Sequence, residues 1–290
     1  MYWYINKPLD QIKMRTYYLK PLKKCTRINC EIHKLQNESI DLVVVSFNNA
    51  NLVKLQIQQI EKYCLDPYQL TIADNSTDEK KSFLIYTICK KKNVGYIRLP
   101  KQNKFSGSFS NGIAINWMYL NFIRKREPKY FGFLDHDIFP VSSFAVIPRL
   151  RTQKFYGLRH YGINKINENV WDSNSPEYWY LWAGFCFYNY QAIKNTKIDF
   201  TPLSSGKTFF DTGGSNFLSL YSSEDVSKLC FPNWERIKIR EGEIRQSDYV
   251  DFIDNKWVHT INGSNWMEVS GKDAIIEKTL LQFENNIHKE

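Results

Sequence analysis

The chain has 290 residues, 43% hydrophobic and 24% charged, and carries a net charge of +9. That length holds one large domain with ample core, and the composition is that of a soluble globular protein. No apolar run approaches the roughly 18 residues of a membrane-crossing helix, and MYWYINKPLDQIKMR at the start lacks a signal peptide's apolar stretch. Six cysteines, at 25, 30, 64, 89, 186 and 230, form no CxxC pair and no metal-ligand spacing. They read as reduced thiols, so a cytoplasmic setting is expected.

Residues 1–38 show weak periodicity and much of the positive charge: Lys7, Lys13, Arg15, Lys20, Lys23, Lys24 and Arg27. They read as a basic arm or a pair of short elements packed on the main domain. Such an arm suits an anionic partner, and peripheral contact with a membrane surface stands beside simple solvation.

From Ile40 the pattern sharpens. Ile40–Ser46 is a β-branched run, nearly continuous as in a strand buried on both faces. Val53, Ile57, Ile60 and Cys64 then recur at helical spacing, until Asp66-Pro67 stops the helix. Leu70–Ala73 is a second strand ending at Asp74-Asn75, and Ser76-Thr77-Asp78-Glu79 matches a capping box opening a helix to about Lys91. A third short strand, Tyr96–Leu99, ends at Pro100. A polar loop, 101–110, leads to a helix with Ile113, Trp117 and Leu120 on one face and Arg124-Lys125-Arg126 at its end, where cations suit the helix dipole.

The fourth strand, Tyr130–Leu134, runs into Asp135-His136-Asp137. Two carboxylates at i and i+2 point the same way if the chain stays extended, and their repulsion is relieved by a hard divalent cation. By the same alternation His136 points away from them. Strand and helix alternate four times with short connections, so a parallel α/β sheet with right-handed crossovers is expected. Its ligands would bind beyond the carboxyl ends of the strands, where Ser46 and Asn48, Asp74 and Asn75, and Asp135 and Asp137 all fall. No G-x-G-x-x-G follows the first strand and no complete P-loop occurs, which argues against a dinucleotide oxidoreductase or a P-loop enzyme. Ser205-Gly206-Lys207-Thr208 only ends like a P-loop.

Four segments in this order resemble the nucleotide-binding half of family 2 glycosyltransferases with the GT-A fold: VVVSFNN (43–49), ADNSTDE (73–79), NKFSGSFSNGIAI (103–115) and FLDHDIF (133–139). The resemblance implies a Rossmann-like, mainly parallel sheet flanked by helices, with an irregular acceptor-side region behind it. It implies a nucleotide-binding half at 39–150 and an acceptor-binding, metal-completing half at 151–290. It further implies transfer of a sugar from a nucleotide-diphosphate donor, UDP-linked by expectation, to a glycan or other hydroxyl acceptor, with Mn²⁺ or Mg²⁺ as cofactor. Carried over, Ser46, Asn48, Asp74 and Asn75 hold base and ribose, Asp135 lies near the ribose or metal, and Asp137 binds the metal. Ser110 and Asn111 border the donor.

In the second half, Trp182 in the aromatic run 179–188 is a candidate acceptor contact. Asp211, ahead of Gly213-Gly214, is the candidate general base of an inverting reaction, with a helix-capping role near Ser215 as its other reading. Glu224-Asp225 matches the family's usual acidic pair and is the second candidate for the base. A retaining course stays open while the base is unassigned. His259, followed by Gly263-Ser264-Asn265-Trp266, resembles the segment supplying a further metal ligand. Two other readings compete. A nucleotidyltransferase would carry a Gly-rich basic loop after strand one, where Ser46-Phe47-Asn48-Asn49 has neither Gly nor Lys. A non-catalytic nucleotide- or nucleic-acid-binding module would need a concentrated basic face or an RNA- or DNA-binding motif, and neither is present, so no nucleic acid partner is expected.

Overall fold

The computed structural model describes residues 8–30, 38–102, 105, 107–165, 171–172, 178–205, 208–240, 248–261 and 271–287. Helix α1 (Pro8–Tyr18), a 3-10 turn at Leu22–Lys24 and strand β1 (Ile28–Asn29) form the N-terminal arm. Then come β2 (Ile40–Ser46), α2 (Ala50–Tyr63), β3 (Tyr68–Asp74), α3 (Glu79–Lys91), β4 (Gly95–Arg98) and α4 (Gly107–Met118). A π-helical turn, Tyr119–Ile123, and the last turn α5 (Arg124–Arg126) carry α4 on to β5 (Tyr130–Asp135) and β6 (Ile138–Pro140). The second half holds α6 (Ile147–Thr152), β7 (Phe155–Tyr161), β8 (Ile163–Lys165), β9 (Trp171–Asp172), β10 (Trp179–Asn189) and α7 (Tyr190–Ile193). It closes with β11 (Leu203–Ser205), β12 (Thr208–Phe210), β13 (Trp234–Lys238), β14 (Tyr249–Ile253), β15 (Trp257–His259) and α8 (Lys272–Ile287).

The main sheet has the order β1-β4-β3-β2-β5-β10-β7. Its heart, β4-β3-β2-β5, is parallel, and β1 and β10 join its two edges antiparallel. This is the expected α/β class with a Rossmann-like core flanked by helices. Strand β2 shows why it forms: Val43 and Val45 enter the core on the α4 side, while Ile40, Leu42 and Val44 enter the one on the α2 and α3 side. Both faces are covered, so the run is apolar throughout instead of alternating. A second sheet, β13-β14-β15-β6, is covered by α8 and by Leu52 of α2. A third comprises β11-β12-β8-β9.

Two local readings change. The cap of α3 is Asp78, whose carboxylate accepts from Lys80 N and Lys81 N, while Ser76 turns back to Asp74 and Glu79 pairs with Arg98. And Arg126 does more than balance a helix dipole. Its guanidinium forks onto the Asp41 carboxylate at 2.7 and 3.2 Å and reaches Gln69, with Asp41 and Arg126 almost wholly buried. Burial pushes the Asp41 carboxyl upward against the pull of Arg126. Removing one member strands the other charge out of water. Asp41→Asn is therefore expected to cost about 3–5 kcal/mol in urea unfolding. An unchanged midpoint would show that the pair contributes nothing to stability.

Candidate functional site

Register sets the site. Ser46 stands opposite Asp74, and Val45 opposite Asp135, so the carboxyl ends of β3, β2 and β5 lie level. The chain builds outward from β2 through β3 to β4 and then returns to place β5 on the other side of β2. That reversal opens a crevice at the strand ends.

On the β3 side the polar side chains hold one another. Asp74 is fully buried, and both its oxygens are taken: Oδ1 by Ser76 N and Oγ, Oδ2 by Ser82 Oγ and Tyr96 OH, with Arg98 3.5 Å away. A carboxylate with four donors has no lone pair left for a ligand. The direct donor contact expected of Asp74 is thus replaced by a positioning role. Asn48, at a φ of 51°, ties the loop after β2 to the loop after β3, accepting from Thr77 N and Asp78 N and donating to Thr77 Oγ1. Ser46 is fully buried, its hydroxyl without a partner among the described residues and its carbonyl accepting from Asn75 N. Asn75 donates to Ser110 Oγ, and Gln102 donates to Asn75 Oδ1 and to the Ser110 carbonyl. Asn75 and Gln102 belong to a cavity of about 170 Å³ lined by 75–77 and 98–102. Asn103, Lys104 and Ser106 of the motif loop lie outside the described residues.

On the β5 side the expected extended exit is a turn at His136-Asp137. Gln56 of α2 holds it by donating to the Asp135 and Ile138 carbonyls, both at 2.8 Å. His136 turns back onto the Val45 carbonyl. Asp135 accepts from Asn111 Nδ2 at 2.9 Å, and burial with Asp137 alongside pushes its carboxyl up to about 7. The β6–β15 ladder sets His259 opposite Ile138, and Thr260 N donates to the Asp137 carbonyl. His259 Nε2 thereby comes within 3.8 Å of Asp137 Oδ1, while Nδ1 lies 3.3 Å from Asp251 Oδ2. Asp251 in turn pairs with Arg236 at 2.8 Å. Burial alone would depress the His259 imidazole, but Asp251, Asp137 and Asp135 together raise it. The same negative field would attract a cation.

Among the described residues no set of three His, Cys, Asp or Glu stands at metal-binding separation. The pair Asp137–His259 does: its gap suits one bridging divalent ion. A histidine whose far nitrogen meets a carboxylate is the usual support of a ligand imidazole. Asp137 and His259 are the residue types that could hold Mg²⁺ or Mn²⁺ as two of its ligands. Gly263–Trp266 lie outside the described residues.

The side of the crevice beyond Asp135 is built by a bulge. Leu181 pairs with Arg159 and Cys186 with Gly157, so residues 182–185 loop out of β10 opposite a single residue of β7. Phe185 pairs with Leu134, which sets this bulge beside Asp135. Trp182 is 8% exposed, stacked on His160 at 5.5 Å and 5°, and 4.9 Å from His259. A Cβ on Gly184 would fall 2.3 Å from its ring, so only glycine fits there. Trp182, the candidate acceptor contact, is packed between the two imidazoles and nearly buried. His160, unnoticed in the sequence, has its pKa lowered to about 4, chiefly by burial.

Asp211 is half-buried, and its N–H donates to Tyr180 OH. Its charge acts on both Asp135 and His160. It caps no helix: the 3-10 turn at Gly214–Asn216 has Gly213 as its cap. Gly213, at φ 99°, lets this turn approach the Leu181 carbonyl closely. Glu224 and Asp225 are excluded as base by place. Glu224 pairs with Lys154 beside β7's start, which adjoins Tyr188 and hence the amino end of β5, opposite to Asp135. Asp225 caps the turn Val226–Lys228.

No family model matches the chain, and no curated protein matches it. Among solved structures it is similar to the bifunctional glycosyltransferase WbbM, at 12% identity and a TM-score of 0.38, over 56% of this chain and 34% of that one. It is similar to S. aureus TarS 1–349 at 13% identity and 0.37, over 56% and 50%. The Pyrobaculum calidifontis mannosyltransferase PcManGT, in complex with GDP-Man and Mn²⁺, gives 9% identity and 0.35, over 63% and 52%. The chain thus spans between a third and about half the length of these proteins. The fold class rests on the strand order and register themselves.

Gln56 gives the site a test independent of any ligand. Gln56→Leu keeps the bulk but leaves the Asp135 and Ile138 carbonyls without their buried donor. Such losses cost about 1–3 kcal/mol. A urea midpoint equal to wild type would show that the turn is held by other bonds.

Proposed function

We propose that this chain is a glycosyltransferase that moves a sugar from a nucleotide-diphosphate donor, UDP-linked in our reading, to a hydroxyl acceptor, with inversion. The observation that carries the proposal is the Asp137–His259 pair, 3.8 Å apart with Asp251 behind the imidazole, at the carboxyl end of β5. Asp137 and His259 would hold Mn²⁺ or Mg²⁺, with Asp135 beside them. Bound there, the ion would act as a Lewis acid on the charge that develops on the leaving diphosphate.

The remaining roles follow from position. Asn75 and Gln102, both bonded to Ser110, line the cavity beside the β3 end, a fitting place for base and ribose. Asn111 steadies Asp135. Asp211, whose charge acts on both Asp135 and His160, would be the base that takes the acceptor's hydroxyl proton as the new glycosidic bond forms.

Turnover of a nucleotide sugar with Mn²⁺ is the primary test; failure with every donor would remove the proposal. Variants then separate the roles. Asp211→Asn should lower transfer by about 10²–10⁴ and leave donor affinity unchanged. His259→Ala and Asp137→Asn should weaken metal and donor together. Asp251→Ala should cost about 10–100-fold in metal affinity, because the imidazole loses its orienting partner. Normal transfer by Asp211→Asn would take the base assignment away from it. Metal and donor affinities of wild-type strength in His259→Ala would do the same for the metal site.

A further inference from the structure

The N-terminal arm does not simply lie in solvent. Trp117 Nε1 donates to the Lys20 carbonyl and Asn121 Nδ2 to that of Tyr18, fixing the end of α1 on α4 and the π-helical turn that continues it. Tyr17 OH donates to the Pro100 carbonyl and Lys20 Nζ to that of Lys101, fixing the arm to the loop after β4. Between arm and loop lies a cavity of about 510 Å³, within the size range of small-molecule sites.

Its lining is unbalanced. Lys20, Lys24, Arg98 and Lys101 face it against one acid, Glu79. Glu79 is already engaged by Arg98 at 3.3 Å and Lys101 at 3.4 Å, and Arg98 also meets Asp74. Lys20 gives its ammonium to a carbonyl, and among the described residues neither Lys20 nor Lys24 pairs with a carboxylate. Leu99 and Pro100 supply an apolar wall, and Leu19, 81% exposed, stands at the edge. Surplus ammonium groups over an apolar wall suit an anion carried on a larger body.

We infer that this seam is a binding site for a phosphate-bearing ligand, separate from the pocket at the strand ends. The two cavities share only the strip Arg98–Lys101, with Asn75–Thr77 and Gln102 on the far side. The inference does not depend on sugar transfer. The phosphate could belong to a soluble molecule or to a lipid headgroup, and the two sources are separable.

The test uses the full chain with chelator present, so that no metal bridges a phosphate to Asp137. Binding of inorganic pyrophosphate is measured by calorimetry, and retention by co-sedimentation with vesicles of phosphatidylcholine alone or mixed with phosphatidylglycerol. Wild type should bind pyrophosphate, the anionic vesicles, or both, and ignore neutral vesicles. Lys20→Glu/Lys24→Glu should weaken that binding by about tenfold or more. Lys23→Glu reverses one charge of the same arm, half the change made by the pair, on an exposed side chain outside the cavity, and should change binding little. Pyrophosphate binding without vesicle retention marks a soluble ligand; vesicle retention marks a headgroup. Thermal melts check that each variant folds, with Lys20→Gln/Lys24→Gln as the milder pair. Binding of neither probe would overturn the inference. So would equal weakening by Lys23→Glu, or pyrophosphate binding lost in Asp137→Asn and kept in the lysine pair.

Discussion

The ladder that holds β2 between β3 and β5 determines where the polar side chains of the site can stand. A slip of one residue would turn Val43 and Val45 to the opposite face and carry Ser46 away from Asp74. That slip is prevented by apolar burial on both faces and, at the other end of the strand, by Asp41. The Asp41–Arg126 pair locks the start of β2 to the end of the helix that delivers β5. Gln56 then fixes the turn beyond β5 from the α2 side. The position of Asp137 is thus set by one ladder and two buried polar ties.

Much of this frame was legible in the sequence because it rests on periodicity. The run Ile40–Ser46 could only be a strand buried on both faces, and Asp135 and Asp137 follow a run of the same kind. What could not be read are partnerships across distance. Asp74 looked like a ligand acceptor because its saturation depends on Ser82, Tyr96 and Arg98, which only folding brings near. Gln56 carried a weak signal, a polar residue three after Val53 on an apolar helix face, but its target was invisible. Trp182 and His160 meet through a bulge, and alternation gives no warning of one. Glu224-Asp225 matched a pattern whose meaning depends on which end of the sheet it occupies.

The aromatic content also resolves into place. Phe131, Phe133, Tyr188 and Phe200 contact one another in the core on the α4 side, in stacked and edge-on pairs. Such contacts account for most of the rings without any ligand. The rings at the site are fewer and differently used: Tyr180 holds the Asp211 backbone, and Trp182 spaces two imidazoles.

Charge is distributed against the overall balance. The chain is basic by nine charges, yet Asp135, Asp137 and Asp251 gather around His259 at the strand ends, and Asp211 adds its charge to the field at Asp135. An anionic donor approaching a basic surface is drawn in, and at the crevice itself it would be repelled. Protonation of Asp135, whose carboxyl stands near 7, removes only part of that repulsion. On the proposed reading, a divalent cation between Asp137 and His259 reverses the local sign, so that the acidic cluster that would repel a diphosphate becomes its anchor. On that reading the acids gain their counter-charge from the cation, and Asp251, which meets the imidazole at 3.3 Å, is the group that keeps it turned toward the ion.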